Sequence, residues 1–325
     1  MTMAIRVHET GGPEVLKWEE IEVGAPGPDE IRVRHSAVGL NFIDVYFRTG
    51  LYPSGGSPFV PGVEGAGVVE AVGADVAELC VGDRVAYAAR PLGAYAQERL
   101  MPASLVVKIP TGVDDQCAAA MMLKGMTAEY LLRRTFKVGS DHTILFHAAA
   151  GGVGLIACQW AKALGATVIG TVGSEEKAAL ASAHGCDHPI NYSRENVVDR
   201  VAELTEGRGV DVVYDSVGKD TFMASLDCLK PLGFMVSFGQ SSGPIEPVDI
   251  GLLAAKGSLF LTRPTLFSYN AERAQLVESA GALFDVVAAG KVRVEVNQTF
   301  ELANAADAHR ALEGRQTTGS TVLLP

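Results

Sequence analysis

The stretch "HAAAGGVG", from His147 to Gly154, decides the fold of this chain. It separates the apolar run "TILF", typical of a buried strand, from "LIACQWAKALG", typical of a helix that ends at Gly165. A glycine-rich turn between a strand and a helix lets a dinucleotide pyrophosphate approach the backbone, and the helix N-terminus attracts the negative charge. The stretch therefore predicts a dinucleotide-binding turn. A tight turn that only packs the helix against the strand is the alternative.

The pattern G-x-G-x-x-G falls on Ala149, Gly151 and Gly154, so alanine replaces the first glycine. From about Ser140 onward, strand and helix patterns alternate, which favours an α/β fold with a parallel sheet covered on both faces. The first ~120 residues instead contain short β-like runs broken by Gly and Pro, which indicate a mostly antiparallel β domain. A helix is expected after Asp114 or Asp115, with Gly125 as a point where it breaks or kinks.

Composition excludes several classes of function. The 325 residues fit two domains, and the net charge of -11 disfavours nucleic acid as a partner. No apolar run approaches the ~20 residues that cross a bilayer, and the opening residues lack the pattern of a secretory leader, so we expect a cytoplasmic protein. The five scattered cysteines suggest neither a disulfide framework nor a zinc site, and the seven histidines have no metal-binding spacing.

The end of the second strand indicates which nicotinamide cofactor binds. NAD-specific folds usually place a carboxylate there, to bond the ribose 2′-hydroxyl. Here the strand "TVIGTV" leads into Gly173 and Ser174, and Glu175 and Glu176 are expected to open the next helix. Lys177, in the first turn of that helix, is placed to reach a 2′-phosphate. We therefore predict NADPH, with a merely solvated lysine as the alternative.

Four motifs carry a resemblance to a known family: "VPGVEGAGVVEAVG", "VGDRVAY", "HAAAGGVG" and "RQTTGSTVLLP". Together with "GLNFIDVYFRTGLYP", they resemble the zinc-independent, ζ-crystallin-like quinone oxidoreductases of the medium-chain dehydrogenase/reductase superfamily. The resemblance covers essentially the whole chain, with the motifs in the expected order.

The resemblance implies a Rossmann, doubly wound parallel sheet inserted into a GroES-like, mostly antiparallel β domain. The implied boundaries are 1–124 with 265–325 for the GroES-like catalytic domain and 125–264 for the NADPH-binding domain. It also implies a homodimer formed by pairing of edge strands, for which "GSLFLTRP" (Gly257 to Pro264) is similar to the family's edge strand.

Zinc-dependent relatives carry a cysteine near the position of Asn41 and a histidine where this chain has Val63. Zinc activates an alcohol as a Lewis acid, so its ligands matter for alcohol oxidation. Without them, reduction of an already electrophilic quinone is the expected chemistry, with no metal. The physiological quinone is not indicated.

The resemblance also implies roles for individual residues. The catalytic candidates are Asn41, Tyr46 and Tyr52, of which either tyrosine would donate its O–H to the developing oxyanion. Asn41 would also bond the cofactor ribose or the acceptor oxygen. The remaining cofactor-binding candidates are Thr127, Ala150, Gly151, Gly152, Val153, Gly173, Ser174, Lys177, Tyr192, Ser216, Phe238, Gly239 and Arg315.

Two other functions stay open from the sequence. One is an NADPH-dependent enone or enoyl-thioester reductase on the same scaffold, for which "LLRRTFK" is the only short basic cluster that would dock an acyl carrier. The other is a crystallin-like structural or RNA-binding protein that binds NADPH without turnover. The acidic net charge weighs against RNA.

Overall fold

The computed structural model describes residues 1–325 and divides them into two units. The first unit comprises Met1–Met126, Asn270–Phe284 and Val294–Pro325, and the second comprises Thr127–Tyr269 and Asp285–Arg293. The segment Asp285–Arg293 thus belongs with the second unit, whereas the sequence-based boundaries assign it to the catalytic domain.

The chain contains fifteen strands and ten α-helices. The strands are β1 (Thr2–Arg6), β2 (Lys17–Ile21), β3 (Glu30–Leu40), β4 (Glu64–Val72), β5 (Arg84–Ala88), β6 (Glu98–Pro102), β7 (Val107–Lys108), β8 (Thr143–Phe146), β9 (Thr167–Val172), β10 (His188–Asn191), β11 (Val210–Asp215), β12 (Leu229–Ser237), β13 (Phe260–Thr262), β14 (Val296–Glu301) and β15 (Ser320–Leu324). The helices are α1 (Phe42–Arg48), α2 (Asp115–Tyr130), α3 (Gly152–Ala163), α4 (Glu175–Ala183), α5 (Val197–Leu204), α6 (Phe222–Asp227), α7 (Gly251–Ala255), α8 (Leu266–Tyr269), α9 (Arg273–Ala288) and α10 (Ala305–Glu313). None of these helices combines the length and the apolarity that a membrane crossing requires.

The second unit is built on a six-stranded parallel sheet in the order β10-β9-β8-β11-β12-β13. Its inner strands β8, β9 and β11 are mostly buried and rich in β-branched residues, and Leu145, Ile169 and Val213 in the core are fully buried. A parallel sheet needs crossover connections, and the helices α3 to α7 lie in them. The predicted doubly wound parallel sheet is therefore confirmed.

The first unit contains a seven-stranded, mostly antiparallel sheet and the small β1-β2 hairpin. The C-terminal strand β15 pairs antiparallel with β3, so that Val322 lies opposite Gly39. The predicted mostly antiparallel sheet is confirmed, and the C-terminal strand β15 belongs to it. The parallel pair β14-β15, joined through α10, is the exception to the antiparallel pattern.

Two predictions about helices are wrong. Gly125 does not break its helix: α2 continues through it, and a Cβ at this position would lie 2.4 Å from Leu283 Cδ1. The glycine is needed for the close approach of α9. The second concerns "DTFMASLDCLKPLG", whose pattern predicts a helix over its whole length. The helix instead stops at Asp227, and the segment from Leu229 joins the sheet as β12. Pro231 cannot donate a helical N–H bond, which favours the strand.

Candidate functional site

The glycine-rich turn follows β8 and is held by backbone hydrogen bonds on both sides. His147 N–H donates to Tyr214 O at 3.0 Å, and Ala149 N–H donates to Thr171 O at 3.0 Å. Gly151 is the N-cap residue of α3, and no side chain caps this helix. The first N–H groups of α3 thus have no side-chain acceptor, and this end of the helix suits an anion.

The glycines of this turn are required by close backbone approaches. A Cβ at Gly154 would lie 2.4 Å from Ala148 O and 2.6 Å from Ala149 O, both backbone atoms. Ala149, which replaces the first glycine of the pattern, fits because its neighbour on β9 is a glycine, Gly170. A Cβ on Gly170 would lie 2.6 Å from Ala149 Cβ. The departure from the glycine pattern is therefore compensated by a second glycine.

The residues predicted to bind the 2′-phosphate and adenine lie together at the end of β9. Tyr192 covers Gly173, where an added Cβ would be 2.6 Å from the tyrosine hydroxyl. Ser174 is the N-cap of α4, and its Oγ accepts the Lys177 N–H at 3.3 Å. The structure thus brings together Gly173, Ser174, Lys177 and Tyr192, and it confirms that Glu175 opens the helix.

Two further strand ends lie beside each other in the same sheet. Ser216 follows β11, and Phe238 and Gly239 follow β12, which pairs with β11. A Cβ at Gly239 would lie 2.6 Å from Ser216 O, so the two loops are in close contact. Ligands of open α/β sheets bind at this carboxyl edge.

Thr127 is buried on α2, where its side chain is hydrogen-bonded to Tyr130.

The other predicted residues belong to the first unit. Tyr46 lies on α1, and its ring packs edge-on against Tyr52, with centroids 5.1 Å apart. Phe42 and Phe47 extend this aromatic cluster, with centroid distances of 6.1 Å to Tyr46 and 5.9 Å to Tyr52. Planar aromatic walls of this kind suit a flat, apolar ligand. Arg315 is exposed in the first unit, and its predicted contact with the 2′-phosphate stays a prediction.

Asn41 is buried immediately before α1, and its amide is held by a carboxylate. Its Nδ2 donates to Glu64 Oε2 at 2.7 Å and more weakly to Gly39 O at 3.4 Å. Glu64 is fully buried, and it also accepts the Leu123 N–H at 2.6 Å and the Lys124 ammonium at 3.0 Å. The amide group of Asn41 thus donates within the protein, and its oxygen accepts the Asp44 N–H in the capping box of α1, which leaves the second lone pair of that oxygen for a ligand.

A directional chain of buried hydrogen bonds continues from Asn41. Its backbone N–H donates to Asp44 Oδ2 at 2.9 Å, and the Tyr95 hydroxyl donates to the same oxygen at 3.0 Å. Tyr95 also lies 3.0 Å from His309 Nε2, and Arg48 donates to His309 Nδ1 at 3.1 Å. This pattern assigns the His309 proton to Nε2. Burial and the Arg48 charge lower the pKa of His309 to about 3, so it is neutral.

Asp44 is the unusual member of this chain. It is fully buried, and its Oδ1 has no hydrogen-bond partner. Burial raises the pKa of Asp44 from 3.8 to about 7, despite the Asn41 and Tyr95 hydrogen bonds, which oppose the shift. Asp44 is therefore protonated in the folded protein over a pH range in which an unfolded aspartate is ionised.

This difference in pKa predicts a pH-dependent stability. Because the folded state binds a proton more tightly than the unfolded state, the free energy of unfolding contributed by Asp44 falls as pH rises from about 4 to about 7. Asp44→Asn keeps the acceptor oxygen and removes this titration. Between pH 4 and pH 8, the free energy of unfolding of the variant minus that of wild type is expected to increase by on the order of 4 kcal/mol. Urea unfolding across this range measures the gain.

The exposed Asp75→Asn is the matched control. A stability difference between Asp44→Asn and wild type that is constant with pH would contradict the assignment of a raised pKa to Asp44.

Sequence reasoning missed several residues of these clusters. These residues are the buried polar groups Glu64, Lys124, Asp44, Tyr95 and His309. Glu64 and Asp44 lie within two of the quoted motifs, but the resemblance assigns them no role. No three histidine, cysteine, aspartate or glutamate side chains are arranged to hold a metal ion. In the basic cluster "LLRRTFK", Arg134 and Arg133 pair with Glu129 at 2.8 and 3.5 Å.

Comparison with known families and proteins gives consistent results. Residues 27–111 match the model of the alcohol dehydrogenase GroES-like domain, and residues 152–265 match that of the zinc-binding dehydrogenases. The quinone oxidoreductase of Pseudomonas aeruginosa is 56% identical over 325 residues, which is 100% of both chains. A 2-haloacrylate reductase of a Burkholderia species is 50% identical, over 100% of this chain and 99% of the relative.

A solved structure shares the same fold throughout. The crystal structure of Escherichia coli quinone oxidoreductase complexed with NADPH superposes with a TM-score of 0.98 at 48% identity. The match covers 99% of this chain and 100% of the other.

Proposed function

Because this chain belongs to the quinone oxidoreductases of the medium-chain dehydrogenase/reductase superfamily, we propose that it reduces quinones with NADPH by hydride transfer. The observation that carries the proposal is the uncapped N-terminus of α3 behind the glycine-rich turn, in a chain 48% identical to an enzyme solved with NADPH. The reduced nicotinamide, when bound, supplies the hydride.

The residues of the second unit fit this cofactor. The backbone N–H groups of Gly152 and Val153, with Ala150 and Gly151 in the turn, would hold the pyrophosphate oxygens. Ser174, Lys177 and Tyr192 would hold the 2′-phosphate and the adenine, with Arg315 as a further cation. Ser216, Phe238, Gly239 and Thr127 would line the rest of the cofactor site.

The aromatic cluster of the first unit would bind the quinone. Phe42 and Tyr52 are partly exposed, so their rings would offer apolar surface to a planar acceptor, while the buried Tyr46 and Phe47 support them from behind. Tyr46 or Tyr52 would donate its hydroxyl to the acceptor oxygen, where negative charge develops as the hydride arrives. A proton from water completes the hydroquinone, so no obligatory general acid is needed.

Asn41 would act as a hydrogen-bond acceptor. Since its amide hydrogens are bound to Glu64 and Gly39, it would accept from a hydroxyl, such as one of the cofactor ribose, rather than donate to a quinone oxygen. Asn41 and Val63 occupy positions where zinc-dependent relatives carry ligands, and neither side chain is a usual zinc ligand. The proposed reaction uses no metal.

The proposed role of Lys177 gives a direct test. Lys177→Ala removes a cation from the 2′-phosphate pocket and is expected to weaken NADPH binding by about 1.5–3 kcal/mol, while NADH binding changes little. Titration of the nucleotide fluorescence measures both dissociation constants. Equal NADPH affinity in wild type and variant would exclude this role for Lys177.

We also propose a cytoplasmic homodimer. The edge strand β13 has no neighbour on its outer side within the chain, and Phe260 and Leu261 on it are 52% and 42% exposed. An apolar sheet edge is a template for pairing with a second copy. All five cysteines are free thiols, as is usual in the reducing cytoplasm.

Phe260→Lys places a charge on this edge and is expected to convert the dimer to a monomer in analytical ultracentrifugation. Met223→Lys, on the exposed surface of α6, is the control. An unchanged dimer in Phe260→Lys, or a wild-type monomer, would contradict the edge-strand interface.

A further inference from the structure

A carboxylate lies beside the proposed 2′-phosphate pocket. Glu175 is the first residue of α4, directly after Ser174, and it is exposed at the end of β9. Like charges at close range repel, and a phosphate near neutral pH carries up to two negative charges. An unpaired Glu175 would therefore oppose the binding of NADPH more than that of NADH.

The last residue of β10 and the turn after it supply two partners for this carboxylate. Asn191 Nδ2 donates to Glu175 Oε1 at 2.8 Å, and Arg194 NH1 lies 3.2 Å from the same oxygen. Asn191 is buried, so one partner is fixed by the fold, whereas Arg194 and Glu175 are exposed. The carboxylate is thus oriented by an amide and neutralised by a guanidinium.

The same turn is tied to the pocket itself. Ser193 Oγ donates to Gly173 O at 3.0 Å, and its N–H donates to Asn191 Oδ1 at 3.1 Å. Tyr192, which covers Gly173, belongs to this turn. The four residues from Asn191 to Arg194 therefore connect the covering ring of the pocket to the partners of Glu175.

The other nearby acids are already engaged. The Ser174 hydroxyl bonds to Glu176 and lowers the pKa of its carboxyl. Glu195 accepts the Asn191 N–H at 3.1 Å and pairs with Arg200 at 3.4 Å. Arg194 is the cation that pairs with Glu175.

We propose that Arg194 and Asn191 determine cofactor specificity by holding and neutralising Glu175, so that the pocket accepts a 2′-phosphate. This inference rests on the proposed NADPH pocket, and it assigns the two residues an indirect, positioning role. If Arg194 instead touched the phosphate itself, its effect would not depend on Glu175. That difference separates the two roles.

The test is a double-mutant cycle read as binding, without turnover. Dissociation constants for NADPH, NADH and adenosine 2′,5′-bisphosphate are measured by calorimetry for wild type, Arg194→Ala, Glu175→Gln and the double variant. Arg194→Ala is expected to weaken NADPH and the bisphosphate about three- to tenfold and NADH less than about twofold. The double variant is expected to return NADPH affinity to within about twofold of wild type.

Unchanged NADPH affinity in Arg194→Ala would overturn the inference. A double variant as weak as Arg194→Ala would also overturn it, because Arg194 would then act independently of Glu175. Lys177→Ala in the same assay distinguishes failure of this inference from failure of the proposed NADPH pocket. If Lys177→Ala weakens NADPH binding and Arg194→Ala does not, the pocket is supported and only the role of Arg194 is excluded. Arg208→Ala, an exposed arginine after α5, is the control for a change in net charge.

Discussion

Gly154→Ala is expected to abolish tight NADPH binding and to destabilise the second unit. The new Cβ would lie 2.4 Å from Ala148 O and 2.6 Å from Ala149 O, and backbone atoms cannot move aside as a side-chain end can. The glycine-rich turn and the first helical turn of α3 must move apart, and we expect this to lower the free energy of unfolding by about 3 kcal/mol. Since the same backbone would hold the pyrophosphate, we expect about a 100-fold loss in NADPH affinity.

Gly281→Ala is the matched control for this variant. It also places a methyl group in a helix, but nothing lies within 4 Å of the new Cβ, and the gain in helix propensity is expected to stabilise the chain by about 0.5–1 kcal/mol. Thermal unfolding and nucleotide fluorescence measure both variants. A Gly154→Ala protein with wild-type NADPH affinity would contradict the close packing that we describe for the turn.

The buried ion pair of Glu64 and Lys124 gives the second large effect. Lys124→Met is nearly isosteric, but it leaves the fully buried Glu64 carboxylate without its cation. Breaking a buried pair from one side typically costs about 3–5 kcal/mol, and we expect that loss in the free energy of unfolding. Because Glu64 also holds the Asn41 amide at 2.7 Å, reduced catalytic turnover is expected in the variant that remains folded.

The double variant Glu64→Gln with Lys124→Met removes both charges and is expected to recover part of the lost stability. The recovery is incomplete because the Gln NH2 would face a donor, either Asn41 Nδ2 or the Leu123 N–H. Lys108→Met breaks the exposed pair with Asp83 and is expected to change stability little, because water screens that pair. Urea unfolding measures all three. A Lys124→Met protein as stable as wild type would contradict the buried ion pair.

Local patterns predicted much of this molecule. The turn from His147 to Gly154, the parallel sheet and the pocket at Gly173 all depend on residues that are close in sequence or on the regular βα repeat. Lys177 and Ser174 lie in one helical turn, and Tyr192 follows the next strand, so topology alone brings them together.

The buried chain from Asn41 to His309 was beyond such reasoning. Tyr95 and His309 are 214 residues apart, and they meet because the C-terminal tail returns to the first unit. No spacing rule signals that Asp44 would lack a partner for Oδ1. The helix through Gly125 differs from its prediction for a similar reason. The close contact with Leu283 on α9, distant in sequence, favours glycine there and overrides its local tendency to break a helix.

The proposed function is tested most directly by NADPH oxidation with the purified protein and a simple quinone, with NADH as the matched cofactor and a conjugated enone as the alternative acceptor. We expect rapid quinone reduction with NADPH and a much lower kcat/KM with NADH. Turnover of the enone but not the quinone would contradict the proposed substrate class. Equal kcat/KM for NADPH and NADH would contradict the pocket built around Lys177, and tight NADPH binding with no turnover of either acceptor would contradict the assignment as a quinone reductase.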